Sequence, residues 1–323
     1  MLIDQRSQTP AQVCESATPL SLDHGDRTDA PKLVNSTAIR HPVALLIEPE
    51  ILLPGHVRHR LTVAFDGTAY YGWQRQPNDV AVQQRVEEAL GALFPSAPCV
   101  LSSSRTDTGV HALGMVAHFD VPQAEFRMTP AKLLLAVNAH LPEDIRVLAV
   151  ARARADFHAR FSARGKQYRY LIWNHSAHNP LLRTQAWHVP RPLDLAAVRA
   201  AAAALVGRRD FLALSATPGY ERRHTVRNLT RCDVKGSGPL LTVVIEADGF
   251  LYKMCRGIVG TLVEVGLHRL QADALLPMLA QRNRSLAGMT APAHGLVLWK
   301  VYYGKKAKSE DGPPDLAVTA EVE

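Results

Sequence analysis

The stretch Ser103-Ser104-Arg105-Thr106-Asp107-Thr108-Gly109-Val110-His111-Ala112 sets an arginine, an acid, a glycine and a histidine between two apolar-rich segments. Arg105 and Asp107 stand two residues apart, a spacing that puts both side chains on one side of an extended or loop backbone. A guanidinium beside a carboxylate keeps it ionised, because a neighbouring opposite charge lowers its pKa. An ionised, positioned aspartate serves as nucleophile or base. Taken alone, Thr-Asp-Thr-Gly reads more simply as a turn, since Asp and Gly are common turn residues. The sequence on either side has to decide between the two.

Three more segments carry an unusual mixture of residues. Asp66 to Gln76 (DGTAYYGWQRQ) puts Tyr70, Tyr71 and Trp73 beside Arg75 and two amides. Aromatics interleaved with a cation suit base stacking and phosphate contact, although Trp73 is better read as a turn residue packed into the core. Asp156 to Tyr170 (DFHARFSARGKQYRY) is a dense positive run, Arg160, Arg164, Lys166 and Arg169, with four aromatics between. By itself it reads as a solvated charged face. Phe250 to Gly260 (FLYKMCRGIVG) carries Lys253 and Arg256 among apolar neighbours. A charge in such a helix needs a partner.

Together these segments resemble the TruA family of tRNA pseudouridine synthases. SSRTDTGVHALGMVAHF is similar to that family's G-R-T-D-A-G-V-H segment, with Ser104 where Gly is usual and Thr108 where Ala is usual. DGTAYYGWQRQ follows D-G-x-x-Y-x-G-W-Q-x-Q, and FLYKMCRGIVG follows F-L-x-x-M-V-R-N-I-V-G with Gly257 in place of Asn. The likeness covers roughly residues 58–303, in the right order. It implies an isomerase acting on uridines of the anticodon stem-loop, at tRNA positions 38, 39 and 40, as a cofactor-free homodimer in the cytoplasm. It implies Asp107 as nucleophile, Arg256 as its ionic partner and Tyr168 against the target base. Arg105 would fill the space the base vacates or hold a phosphate. Leaving the stack costs a base roughly a few kcal/mol.

Composition agrees with an RNA partner. The 323 residues are 47% apolar with a formal charge of +7, and the pI is near 9.4, which favours a polyanion. Cys14, Cys99, Cys232 and Cys255 are widely spaced without a CxxC pair, so neither a zinc site nor a disulfide framework is indicated. No HxxxH, acidic cluster, GxGxxG or P-loop points to a metal or nucleotide cofactor. Ser104, His111 and Asp107 lack the nucleophile-elbow pattern of a hydrolase. A non-catalytic RNA-binding module or tRNA folding chaperone fits the basic and aromatic residues but has no use for the acid. A DNA-binding regulator has no signature. No apolar run is long enough to span a membrane.

Periodicity predicts strands over Arg60–Asp66, Met115–Val121, Ile145–Arg152 and Lys166–Asn174, an antiparallel pair Leu229–Val234 and Leu240–Ala247, and a last strand His294–Tyr303. Helices are expected over Val80–Phe94, capped by Asn78 or Asp79, over Lys132–Ala139, after an Asp194 cap, and over Phe250–Val265. The fold class is α+β, antiparallel sheets covered by helices on one face. The resemblance implies the pseudouridine synthase fold, two α/β sandwich halves with the active cleft between them. Residues 1–57 read as a disordered extension, 58–165 as a catalytic half carrying the Asp107 loop, 166–303 as a second half and 304–323 as a loose tail.

Overall fold

A computed structural model describes residues 51–216 and 224–304 of the chain. The extension expected over 1–57 lies largely outside these residues, as does the tail after Gly304. Within them the architecture is mixed α and β, with strands joined in one ten-stranded sheet. Its first strands are β1 (His56–Phe65), the short β2 (Leu101–Ser102), β3 (His111–Pro122) and β4 (Ile145–Ala153). Then come β5 (Ala163–Asn174), β6 (Trp187–Val189), β7 (Gly207–Asp210), β8 (Val226–Lys235), β9 (Leu240–Ala247) and β10 (Leu296–Tyr303). The order across the sheet is β4-β1-β3-β10-β5-β9-β8-β7, with β2 on β3 and β6 on β5. Every pairing is antiparallel except β10 with β3 and β6 with β5.

Each strand forms where apolar side chains alternate or run continuously. In β1, Leu61, Val63 and Phe65 are buried between strands on both sides. Arg58 is buried there too, at 1% exposure, and it is tolerable only because its cross-strand partner is Asp120. Nε and Nη2 grip the two carboxylate oxygens at 2.7 and 2.6 Å, and Nη1 donates to the carbonyls of Ala155 and Phe157. That fork satisfies the guanidinium and ties the loop before β5 to β1.

The helices follow the same logic. In α1 (Val82–Gly91) the buried Val82, Val86, Ala89 and Leu90 recur at one-turn spacing. Each larger one contributes about 1.5–3 kcal/mol on leaving water. Its first turn is not capped by Asn78 or Asp79. The N-cap is Ala81, without a side-chain bond, and the Val82 amide donates to Gly72 instead. α2 (Pro130–His140) starts at Thr129, whose side chain accepts from the Lys132 amide. Asn138 of α2 exchanges two 2.8 Å hydrogen bonds with Val147 of β4. α3 (Leu195–Leu205) is capped by Asp194, as the sequence reading expects. α5 (Leu275–Gln281) is short.

α4 (Met254–Gly266) is the most buried helix and starts four residues later than its periodicity predicts. Lys253 takes a left-handed conformation, φ 57°, which no helix interior allows. Gly257 and Gly260 let its backbone lie against other backbone. A Cβ at 257 would sit 2.1 Å from the Leu214 carbonyl oxygen. One at 260 would be closer still to that of Met289. Among the described residues no helix is long and apolar enough to cross a membrane.

Candidate active site

The loop from Ser103 to Val110 enters β3 and is fixed through its own backbone. The Ser103 amide donates to Val116 of β3, and the Ser103 carbonyl accepts from Lys166 Nζ of β5 at 2.6 Å. Ser102 Oγ donates to the Ser104 carbonyl. The carbonyl of Thr106 accepts from the Trp73 amide, and the Gly109 amide donates to Tyr70. The Asp66–Gln76 segment therefore frames the Asp107 loop. Gly72 makes the contact possible. Its φ is +86°, and a Cβ there would lie 2.4 Å from the Thr106 oxygen.

This packing decides the roles of that segment's aromatics. Trp73 is 1% exposed and tilted on Phe65, a core residue as its sequence context indicates. Tyr70 is buried and donates to Asp144 at 2.6 Å. Burial, helped by that carboxylate, pushes its phenol well above the ordinary range. Tyr71 is exposed. Arg75 is exposed and already faces Glu87 at 3.3 Å.

Asp107 meets its ionic partner from the opposite part of the chain. Arg256 Nη1 donates to Asp107 Oδ2 at 2.7 Å. Both side chains are sheltered, at 14% and 19% exposure. Arg256 is aimed by a second clasp, because its Nε donates to the Ala291 carbonyl and its own carbonyl accepts from the Ala291 amide. With Nε fixed on that carbonyl and the main chain fixed by that amide, Nη1 meets the carboxylate without a search over rotamers. The pairing engages one carboxylate oxygen, so the other keeps its lone pairs for chemistry.

Tyr168 stands on β5, its ring edge-on to Phe250 at 5.0 Å. It is buried, and its hydroxyl lies among Ser104, Cys255 and Asp107. Burial, with the neighbouring Cys255 and Asp107, pushes this hydroxyl far above its usual range, so it stays protonated. Arg105 is exposed, on the same loop as Asp107. The four residues singled out in the sequence thus fall in one region, three of them directed inward and Arg105 outward.

The basic run before Tyr168 divides. Arg160 and Arg164 are exposed, whereas the Arg169 guanidinium lies 3.8 Å from the Trp299 ring centroid. Lys166, which the sequence groups with them, anchors the loop. A second anchor that sequence reading leaves unassigned is His111. Its Nδ1 accepts from the Gly67 amide at 3.0 Å and its Nε2 faces the carbonyls of Thr184 and His294. The signal was present in the motif itself, where a histidine closes a run whose other members carry chemistry. Among the described residues no group of three or more His, Cys, Asp or Glu could hold a metal ion.

Known proteins share this arrangement's sequence. A family model described as tRNA pseudouridine synthase matches residues 61–162 and 201–304. The tRNA pseudouridine synthase A of Syntrophotalea carbinolica is 46% identical over 244 residues, 76% of this chain and 95% of its own length. That of Myxococcus xanthus is 42% identical over 259 residues, 80% and 94% of the two chains. That of Acetivibrio thermocellus is 40% identical over 248 residues, 76% and 98%. Likeness this close, along nearly the full length of each relative and through the segments that enclose Asp107, makes the chain a member of the tRNA pseudouridine synthase family, and an isomerase.

Proposed function

We propose that this enzyme converts uridine to pseudouridine on the 3′ side of the tRNA anticodon stem-loop, at positions 38, 39 and 40, with Asp107 as nucleophile. One observation carries the reading. A charge-assisted bond of 2.7 Å joins Asp107 and Arg256 across 149 residues of sequence, and binding RNA alone requires no such pair. Exposed Arg105, Arg160 and Arg164 attract the tRNA backbone, with affinity that falls as salt rises. The target base leaves its stack and enters beside Tyr168. Arg105 fills the vacated space.

The Asp107 carboxylate attacks the nucleoside while Arg256 holds its Oδ2 in place, and the bond it forms is broken again, returning the free carboxylate, before the product leaves. The bond between ribose C1′ and N1 of the uracil breaks. The ring turns until C5 faces C1′, and a C1′–C5 bond forms. C5 gives up its proton and N1 finishes with one, so product and substrate have the same atoms and the same oxidation level. The balance calls for no redox partner. Tyr168, protonated and packed on Phe250, bounds the base on one side.

The same reading includes a homodimer working in the cytoplasm, on the family resemblance. It also includes an N-terminal half over 58–165 and a C-terminal half over 166–303, flanked by the extension and the tail. The two separate stretches matched by the family model support that division. The test is release of tritium from tRNA carrying 5-tritiated uridine. Wild type should release it and Asp107→Asn should not. Turnover by the variant near the wild-type rate would remove Asp107 from the chemistry.

A further inference from the structure

We infer that Lys166 is a positioning residue for the reaction, setting the Asp107 loop through the Ser103 carbonyl; the inference rests on Asp107 being the nucleophile. Three observations lead there. Lys166 and Tyr168 are two apart on β5, so they share the sheet face that looks toward the Asp107 loop. Lys166 Nζ donates to the Ser103 carbonyl at 2.6 Å, four residues before Asp107. Of the groups that the structure shows holding this loop by its backbone, Lys166 is the one with a full charge. A charge-assisted bond is shorter and about twice as strong as a neutral one.

The surroundings make that charge sensitive. Among the described residues no carboxylate forms an ion pair with Lys166. Arg160, from the loop before β5, faces it and repels it. Its cross-strand neighbours are Ala247 of β9 and Val301 of β10, both uncharged. Tyr303 of β10 faces the Ser103 region with Arg60 of β1 beyond it, and burial keeps that phenol protonated. Burial first, and Arg160 second, push the Lys166 ammonium down to about 8. Above that pH the amine still has N–H groups, but the charge-assisted grip on the loop is lost.

The experiment is single-turnover tritium release by wild type, Lys166→Met and Lys166→Arg from pH 7 to 9.5, with the Kd for tRNA measured alongside. A displacement of about 1 Å at a reacting group costs about 10²-fold. Lys166→Met should therefore lose 10- to 100-fold in rate at pH 7 while its Kd changes by less than about threefold. Lys166→Arg, whose cation keeps its proton, should recover most of the rate and lose the fall that wild type shows through about pH 8. A rate unchanged in Lys166→Met overturns the proposal. So does a loss confined to Kd, which would make Lys166 a phosphate contact, or an alkaline fall identical in wild type and Lys166→Arg. A flat wild-type profile overturns it without any variant. Failure of the underlying reading looks different, because Asp107→Asn would then release tritium like wild type.

Discussion

Gly257 offers a test in which local propensity and packing predict opposite signs. The resemblance puts an asparagine at this position, and alanine is a better helix former than glycine by about 1 kcal/mol. Either residue brings a Cβ, and that atom would lie 2.1 Å from the Leu214 carbonyl oxygen and 2.9 Å from its carbon. A carbon and an oxygen in ordinary close contact are about 3.3 Å apart. The helix or the Leu212–Leu214 turn must therefore retreat by about 1 Å. Overpacking of this kind costs typically 1–3 kcal/mol, and the rigid backbone on both sides places the cost at the upper end. A loss of about 3 kcal/mol lowers Tm by about 6 °C or more in a domain of this size. Arg256 is the preceding residue, so the retreat also shifts the guanidinium that holds Asp107. We expect single-turnover tritium release to fall by about 10²-fold, measured at a temperature where the variant is folded. Gly257→Ala should behave nearly as badly as Gly257→Asn, since the first added carbon already meets the obstacle. A variant that melts with wild type and turns over at its rate would refute the packing argument, and a stabilised Gly257→Ala would show that helix propensity prevails.

Other outcomes follow from buried charge. Asp120→Ala strands the Arg58 guanidinium at 1% exposure, and removing one partner of a buried pair costs about 3–5 kcal/mol. Asp120 is itself 27% exposed, so urea denaturation should show a loss of about 3 kcal/mol; a loss below about 1 kcal/mol would mean the pair contributes little. His59 and His118 are held neutral, pushed down to about 4 and about 3 chiefly by burial, with Arg152 and Arg58 as the next causes. The folded protein therefore binds fewer protons than the unfolded chain below pH 6.5. Stability should fall on acidification from pH 6.5 toward about 4, by up to about 1.4 kcal/mol per pH unit for each histidine. Denaturation at pH 7 and pH 5 measures the drop, and His59→Phe should reduce it. Equal stability at the two pH values would contradict the assignment.

The seven longer strands were legible because their apolar residues alternate or run on, and the observed ends differ from the periodic ones by a few residues; β2, β6 and β7, two to four residues each, are too short to show a period. The start of α4 was not, because Lys253 looks like any helix residue until the chain is seen to turn left-handed there. Asn78 and Asp79 are good caps by type, yet the Gly72 carbonyl takes the amide of Val82. At the site, local spacing pointed only to Arg105 beside the aspartate, and the structure adds Arg256, brought to it from 149 residues away. Only the resemblance to a family supplied that pairing in advance. Ala291, Leu214 and the Ser103 carbonyl were invisible because they act through main-chain atoms, which every residue type possesses.

The position of β10 bears on how the enzyme is made. This strand is the last of the described elements, yet it lies between β3 and β5, parallel to one and antiparallel to the other. A nascent chain released from the ribosome up to Thr290 would hold the segments bearing Asp107, Tyr168 and Arg256 without the strand that joins β3 to β5. Such long-range pairing forms late and slowly. Competence therefore arrives only once β10 has been made, and a chain stopped at Thr290 lacks it although Asp107, Tyr168 and Arg256 have all been translated.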